Sequence, residues 1–255
     1  MTRSRPQQVA PPLPLLRKFP TDEATQGVAV DARHFYAIDN AHIGKYERAT
    51  GKKVGAYESS PERPLIHMDG GLVLGKTLYC SHSNFPETPM LSSIERFDTA
   101  TLRHLGSQSF GRDAGSLTWM DWHENSWWVC FGHYSGKGGE PGKTNQDTVL
   151  VRYDAQWRRQ AAYVFPPTLF DRWEGMTASG GLWGPKNTLL ISGHHAPEIY
   201  QLRLPKVGSV LEIVQIIASP AEGQGIALDS AQKRLFQIQR KERSVYEFDL
   251  SRLYL

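Results

Sequence analysis

Short apolar runs alternate with polar turns along nearly the whole chain, and the first complete example lies between Gln26 and Tyr57. Its apolar or alternating runs are separated by segments of Asp, Asn, Thr and Gly, and they occupy residues 27–30, 34–38, 43–47 and 53–57. Four short strands joined by tight turns are typical of antiparallel β-structure. The pattern therefore predicts a four-stranded unit such as one blade of a β-propeller.

The four-stranded unit occurs five times along the chain, and the third strand of each unit shows the repetition most clearly. That strand carries an aromatic residue or a leucine near its end, at Tyr46, Phe97, Tyr153, Leu202 and Phe248. Intervals of roughly 50 residues suit one four-stranded blade each. The sequence therefore predicts an all-β fold, a five-bladed β-propeller.

The two chain ends complement each other in this scheme. Residues 1–12 are polar and proline-rich, which predicts a loose tail, and residues 13–255 are predicted to form a single propeller domain. The fifth unit lacks a fourth strand, whereas the run Leu15 to Phe19 belongs to no unit. We expect this run to complete the last blade, because closing the ring removes an exposed strand edge.

Composition excludes several classes of partner and leaves the compartment open. The net charge is +3 without a run of Lys or Arg, so nucleic acid is not expected to bind. No segment reaches the roughly 20 apolar residues of a membrane span. The two cysteines, Cys80 and Cys130, are predicted to be buried free thiols, which suit the cytosol or, after removal of a leader, the periplasm or exterior. We expect a monomer.

Three segments resemble a broad superfamily of propellers that includes NHL-type, lactonase and plant-type glutaminyl-cyclase proteins. Residues 26–31 (QGVAVD) and 224–229 (QGIALD) match its blade starts, and residues 46–52 (YERATGK) match its turns. The resemblance implies the propeller fold and no particular chemistry, so the function must be argued from the site.

Residues at one rim of such a propeller carry the candidate chemistry. First strands begin and second strands end at the same face, and five of the nine histidines take these positions: His67, His82, His133, His194 and His195. The aromatic residues Phe85, Trp119, Tyr134 and Trp173 are expected to line the walls of a pocket at this rim, as suits a sugar ring.

Two kinds of chemistry fit these residues. Without a metal, imidazoles and a carboxylate transfer protons near neutral pH, and the predicted catalytic residues are His133, Glu174 and His194. The predicted substrate-binding residues are Gln26, Asp69, Tyr134, Trp173, His195, Glu222 and Arg240. With a metal, one divalent ion (Zn, Mn, Fe or Ca) is bound by imidazoles, and the predicted ligands are His67, His82, His133 and His194.

The sequence thus predicts an enzyme, a hydrolase or a lyase, that acts on a small polar or carbohydrate-like molecule with or without a metal. The alternative is a propeller without enzymatic activity that binds a protein or glycan. It would do so through the long insertions that follow the second strands of units two and three, at residues 81–90 and 133–147.

Overall fold

The computed structural model describes residues 8–62, 64–112 and 114–255. Two strands, β1 (Val9–Ala10) and β2 (Leu15–Pro20), precede the first blade. Blade 1 consists of β3 (Gly27–Val30), β4 (His34–Ile38), β5 (His42–Glu47) and β6 (Lys53–Glu58). Blade 2 consists of β7 (Met68–Leu74), β8 (Thr77–Ser83), β9 (Leu91–Asp98) and β10 (His104–Arg112). Blade 3 consists of β11 (Ser116–His123), β12 (Ser126–Gly132), β13 (Val149–Tyr153) and β14 (Arg159–Val164).

The second half of the chain continues the ring after a short helix, α1 (Pro167–Trp173). Blade 4 consists of β15 (Gly180–Gly184), β16 (Thr188–Ser192), β17 (Glu198–Arg203) and β18 (Glu212–Ala218). Blade 5 consists of β19 (Ile226–Asp229), β20 (Arg234–Gln239) and β21 (Ser244–Asp249), with β2 as its outer strand. The protein is therefore a five-bladed β-propeller, as the sequence predicts, and each third-strand marker residue lies in a third strand. Among the described residues, no helix is long and apolar enough to cross a membrane.

The N-terminal segment joins two blades. Strand β2 pairs antiparallel with β21, with Phe19 opposite Val245. Strand β1 pairs in parallel with β18, with Val9 opposite Ile216, so blade 4 has five strands. Of the predicted loose tail, residues 1–7 lie outside the described residues. Val9 and Ala10 of this tail are paired, because the outer edge of β18 offers free backbone groups to a further strand.

Apolar layers between neighbouring blades form the core. Its largest fully buried side chains are aromatic and include Trp119, Trp128 and Trp173. Such side chains bury about 150–250 Å² each, which makes them the main source of the hydrophobic stabilisation between sheets. Trp119, which the sequence places on a pocket wall, lies in the core with 1% of its surface exposed.

Glycines allow the innermost strands to touch where they begin. A Cβ atom on Gly27 would lie 1.9 Å from the carbonyl oxygen of Asp69, and one on Gly225 would lie 2.6 Å from the Cα of Gly27. The Gly225 amide also donates to the carbonyl of Gln26 over 2.8 Å, which joins blade 5 to blade 1. We call this end of the channel, where the innermost strands begin, the narrow end, and the opposite end the wide end.

The start of blade 4 differs from the sequence prediction. The sequence places Glu174 at the rim, where first strands begin, but α1 occupies this region and the first strand of blade 4 starts at Gly180. Proline at the first helical position favours a helix start, and Glu174 ends the helix in a left-handed conformation with φ of 51°. Seven residues are too few to show a helical period, so the pattern concealed this helix.

Candidate active site at the narrow end of the channel

A polar cavity of about 60 Å³ lies at the narrow end of the channel. Side chains from distant parts of the chain meet there because first strands begin and second strands end at this face. Six of the predicted site residues line the cavity: Gln26, His67, Asp69, Tyr134, His194 and Arg240. Its volume has room for only a few water-sized groups.

The imidazole of His67 is held between an amide and a carboxylate. Its Nδ1 lies 2.7 Å from Oδ1 of Asn40, and its Nε2 lies 3.3 Å from Oδ2 of Asp69. The Asn40 oxygen also accepts a hydrogen bond from Nε2 of Gln26 over 2.9 Å. Because an amide oxygen can only accept, Nδ1 of His67 donates to Asn40.

Asp69 favours the protonated form of His67. Burial by itself would lower the pKa of His67, but the charge and hydrogen bond of Asp69 outweigh burial, so the pKa is raised above its ordinary value. The Asp69 side chain is only 6% exposed, which keeps its charge close to the imidazole and poorly screened. His67 therefore favours the imidazolium form, a proton donor, more than an ordinary histidine does.

His194 has the opposite character. Burial, followed by the positive charges of His195, Arg240 and His67, lowers the pKa of His194 to about 3. Nη1 of Arg240 lies 3.4 Å from Nε2 of His194, and since a guanidinium only donates, the imidazole accepts. His194 is therefore a neutral imidazole whose Nε2 lone pair faces a cation.

Two insertion loops cover the cavity. Phe85, from the insertion of blade 2, lies between His67 and Tyr134, with ring centroids 4.9 Å and 4.8 Å away. Glu140, from the insertion of blade 3, accepts the Met90 amide hydrogen over 2.9 Å and thereby ties the two loops together. Burial and the charge of Asp69 raise the pKa of Tyr134, so its phenol stays protonated.

Two further polar groups belong to the site although the predicted set omits them. Asn40 orients His67, as described above. Gln224 lines the cavity, is 1% exposed, and its Nε2 has no hydrogen-bond partner among the described residues. A buried amide without a partner costs about 1–3 kcal/mol, so a ligand oxygen that accepts from Gln224 would gain affinity. Asn40 follows the second strand of blade 1, as His194 follows that of blade 4, and Gln224 precedes the first strand of blade 5. These positions in the repeat are the sequence signal that could have identified both residues.

Two of the predicted histidines contact other protein groups outside the cavity. His133 is 4% exposed, and its Nδ1 lies 3.2 Å from Oε2 of Glu140, within the insertion of blade 3. His82 accepts the Ile66 amide hydrogen at Nε2 over 3.2 Å, so its Nδ1 donates to Oγ of Ser93 over 3.1 Å. Neither of them lines the cavity.

Four other predicted residues also lie outside the cavity lining. Trp173 is 1% exposed and packs edge-on against Phe165, because it ends α1 and does not begin a strand. Glu174 is exposed at the cap of that helix. His195 is exposed and contacts the cavity only through His194, with ring centroids 4.1 Å apart. Glu222 forms an ion pair with Lys241 over 2.7 Å.

The predicted metal ligands do not converge on one point. Among the described ranges of the chain, no group of three or more His, Cys, Asp or Glu side chains is placed to hold a metal ion. His67 faces Asp69, His194 faces Arg240, and the other two predicted ligands have the separate partners given above. Metal binding stays a prediction, which metal analysis of the purified protein would test.

Comparisons with known proteins support the β-propeller fold but do not indicate which reaction or ligand the site serves. No protein-family model matches this chain, and no curated protein matches it. A luciferin-regenerating enzyme is similar in structure, with a TM-score of 0.53 and 9% identity over 89% of this chain and 92% of that chain. A chain of the mitotic checkpoint complex has a TM-score of 0.52 and 10% identity, over 98% of this chain and 97% of that chain.

At these identities the likeness shows the β-propeller fold alone. The resemblance to NHL-type, lactonase and glutaminyl-cyclase propellers accordingly holds for the fold, and membership of that superfamily stays a prediction.

Proposed function

We propose that the protein is an enzyme that transfers protons during hydrolysis or elimination of a small polar substrate with an anionic group. The observation that carries this proposal is the pair His67 and His194 in one cavity, with pKa values moved in opposite directions. Two titratable groups whose environments separate their pKa values are the usual arrangement of an acid and a base.

Each side chain then has a role. His67, biased toward imidazolium by Asp69, donates a proton to the leaving oxygen. Neutral His194 accepts a proton from water or from a carbon next to the anionic group. Arg240 binds the anion through its fork of N–H donors, and the unpartnered amide of Gln224 donates to a further oxygen.

An anionic substrate would also activate the base. Arg240 is one of the charges that lower the pKa of His194. When a substrate anion pairs with the guanidinium, it neutralises that charge, and the pKa of His194 moves back toward its ordinary value. His194 would then be a stronger base in the presence of substrate than in its absence.

The cavity admits only the reacting end of such a substrate, because its volume is about 60 Å³. The remainder would extend past exposed Arg240 and the two insertion loops to the surface. A carboxylate-bearing sugar derivative or lactone suits this arrangement, since Phe85 offers an aromatic surface at the mouth.

The alternative, a binding protein without turnover, is favoured by one observation. A second groove lies between the two insertions and is lined by Thr88, Pro89, Glu140, Pro141 and Lys143. Such a groove between loops would suit a protein or glycan partner, for which the cavity need not react.

A substrate panel with one matched pair of variants tests the proposal. Wild type, His67→Gln and His42→Gln are assayed on uronic-acid glycosides, carboxylate-bearing lactones and β-hydroxy acids. We expect turnover of one class, a loss of about 10²–10⁴-fold in His67→Gln as is typical of a general acid, and no loss in His42→Gln, whose side chain is 47% exposed. Turnover that survives in His67→Gln would contradict the proposed roles, and anion binding without turnover would support the alternative.

A further inference from the structure

A second and larger cavity, of about 410 Å³, lies at the wide end of the channel. The ends of all five innermost strands line it, together with Tyr254 near the C-terminus. Its volume falls within the range of about 300–1,000 Å³ that is usual for small-molecule sites. The proposed activity at the narrow end uses none of its residues.

Most of the side chains that line this cavity are apolar, and Asp121 supplies the one carboxyl group among the lining residues. Branched side chains such as Val30, Leu72 and Ile226 belong to the lining, and polar backbone groups and the hydroxyl of Ser230 also contribute to its surface. Asp121 is the acidic residue of the lining, and neither Lys nor Arg lines the cavity. The other titratable side chains of the lining are His123, two residues along the same strand, and Tyr254. The neighbouring innermost strands, β7 and β15, contribute only apolar residues and glycines.

Backbone amides hold the Asp121 carboxyl in place. Oδ2 accepts the Trp183 amide hydrogen over 2.6 Å, which links blade 3 to blade 4, and Oδ1 accepts the Trp122 amide hydrogen over 2.8 Å. A carboxylate offers about four acceptor positions, so each oxygen can accept another hydrogen bond. Asp121 forms no ion pair among the described residues. Burial accordingly raises the pKa of Asp121 to about 7.

Aromatic rings stand beside this carboxyl. Trp122, Trp183 and Tyr254 line the same cavity. The ring of His123 stacks on Trp183 with centroids 4.3 Å apart, which fixes the position of the indole. Aromatic faces attract cations through their quadrupole, and more strongly where water is excluded.

We propose that the wide end is a second ligand site, which binds a small organic cation through Asp121 and the surrounding aromatic and apolar wall. The ammonium group of such a ligand pairs with the carboxylate and donates to its free acceptor positions. The apolar body of the ligand fills the cavity between the five innermost strands. The combination of one carboxyl group without an ion-pair partner and neighbouring aromatic and apolar side chains favours a cation with a hydrocarbon body over an anion.

Benzylammonium and benzyl alcohol are suitable probes, because they have the same ring and differ in charge. Their dissociation constants are measured by isothermal titration calorimetry at pH 8 on wild type, Asp121→Asn and Asp171→Asn. Asp171 is exposed on α1, so its variant removes the same charge at a remote place. We expect wild type and Asp171→Asn to bind benzylammonium at least about tenfold more tightly than the alcohol, which is the effect of one charge-assisted hydrogen bond. In Asp121→Asn the two probes should bind alike.

The pH dependence of wild type provides a second measurement that needs no variant. The ionised carboxyl is the form that binds the cation, and with a pKa of about 7 its fraction rises about tenfold between pH 6 and pH 8. The affinity for benzylammonium should rise by that factor, while that for benzyl alcohol stays constant. Equal binding of the two probes by wild type, no binding at millimolar concentration, or a preference that survives Asp121→Asn would overturn the proposal.

Discussion

The two ends of the channel are built from the same five innermost strands, yet they differ in width and in polarity. At the narrow end, glycines let the strand backbones touch, and the cavity of about 60 Å³ is surrounded by His67, Asp69 and Arg240. At the wide end the strands diverge, as twisted strands do, and the cavity of about 410 Å³ is lined mostly by apolar side chains around Asp121. Strand geometry therefore sets the size of each site, and the side chains carried by the strands and loops at each end decide its chemistry.

The two ends of the channel also differ in how their charged side chains are arranged. At the narrow end, acidic and basic groups lie beside one another, so neighbouring charges as well as burial shift the pKa values of His67 and His194. The wide end isolates a single carboxyl, so that its pKa reports burial. An end whose charges influence each other is suited to proton transfer, whereas an end with a lone charge is suited to binding the opposite charge.

The largest effect should come from separating the strands at the narrow end. In Gly27→Ala the new Cβ would meet the Asp69 carbonyl, so the innermost strands of blades 1 and 2 must move apart. We expect a loss of about 3 kcal/mol in the free energy of unfolding, the upper part of the range for overpacking. Urea denaturation measures it.

Gly136→Ala is the matched control for that variant. Gly136 is exposed in the insertion of blade 3, and a Cβ there has no neighbour within 4 Å. Its free energy of unfolding should change by no more than about 0.5 kcal/mol. Equal stability of the two variants would show that contact between backbones does not set the width of the narrow end.

A smaller change in the free energy of unfolding is expected from the ionisation of Asp121 at the wide end. The pKa of Asp121 is about 7 in the folded protein against an ordinary value of 3.8, so the folded state keeps a proton that the unfolded chain has lost. Wild type should therefore lose stability relative to Asp121→Asn as the pH rises from 5 to 8, by about 2–3 kcal/mol. Urea denaturation at both pH values measures the difference.

Asp171→Asn should follow wild type at both pH values, because this aspartate is exposed. If the curves of wild type and Asp121→Asn run parallel between pH 5 and 8, the carboxyl is ionised throughout and the contrast between the two ends fails.

The smallest effect concerns protonation at the narrow end. Imidazole resonances followed by nuclear magnetic resonance should show His67 titrating above 6.5 and His194 far below it, near 3. Asp69→Asn should lower the pKa of His67, because it removes the charge that overcomes burial, and Asp171→Asn should leave it unchanged. Two histidines that titrate together near 6.5 would remove the basis for an acid and a base in this cavity.

Much of the fold can be predicted from the sequence because a propeller repeats a local pattern. The alternation of apolar runs and turns is visible within each unit, and the markers Tyr46 and Phe248 recur at the interval of a blade. The helix α1 was not predictable in this way, since it is short and its apolar residues fit a strand as well. Because the chain forms α1 here and not the start of a strand, Trp173 lies in the core and Glu174 lies at the surface.

The candidate site could be predicted only in part. The repeat indicates which end of the channel a residue lies at, but it does not indicate the direction in which its side chain points. His67, Asp69 and His194 were placed at the correct rim and line the cavity. His82 and His133 occupy the same rim, but they turn toward Ser93 and Glu140. The role of Asn40 depends on a contact with His67 from another blade, which a local pattern does not contain.

By itself, the sequence determined the number of blades and the order of their strands, because these follow from hydrophobic periodicity and turn chemistry within about 50 residues. Only the tertiary structure decided which imidazole faces an acid and which faces a cation, and that Asp121 lines a cavity in which it is the one carboxyl group. Those properties depend on distances and burial between side chains of different blades, and electrostatic interactions depend on both.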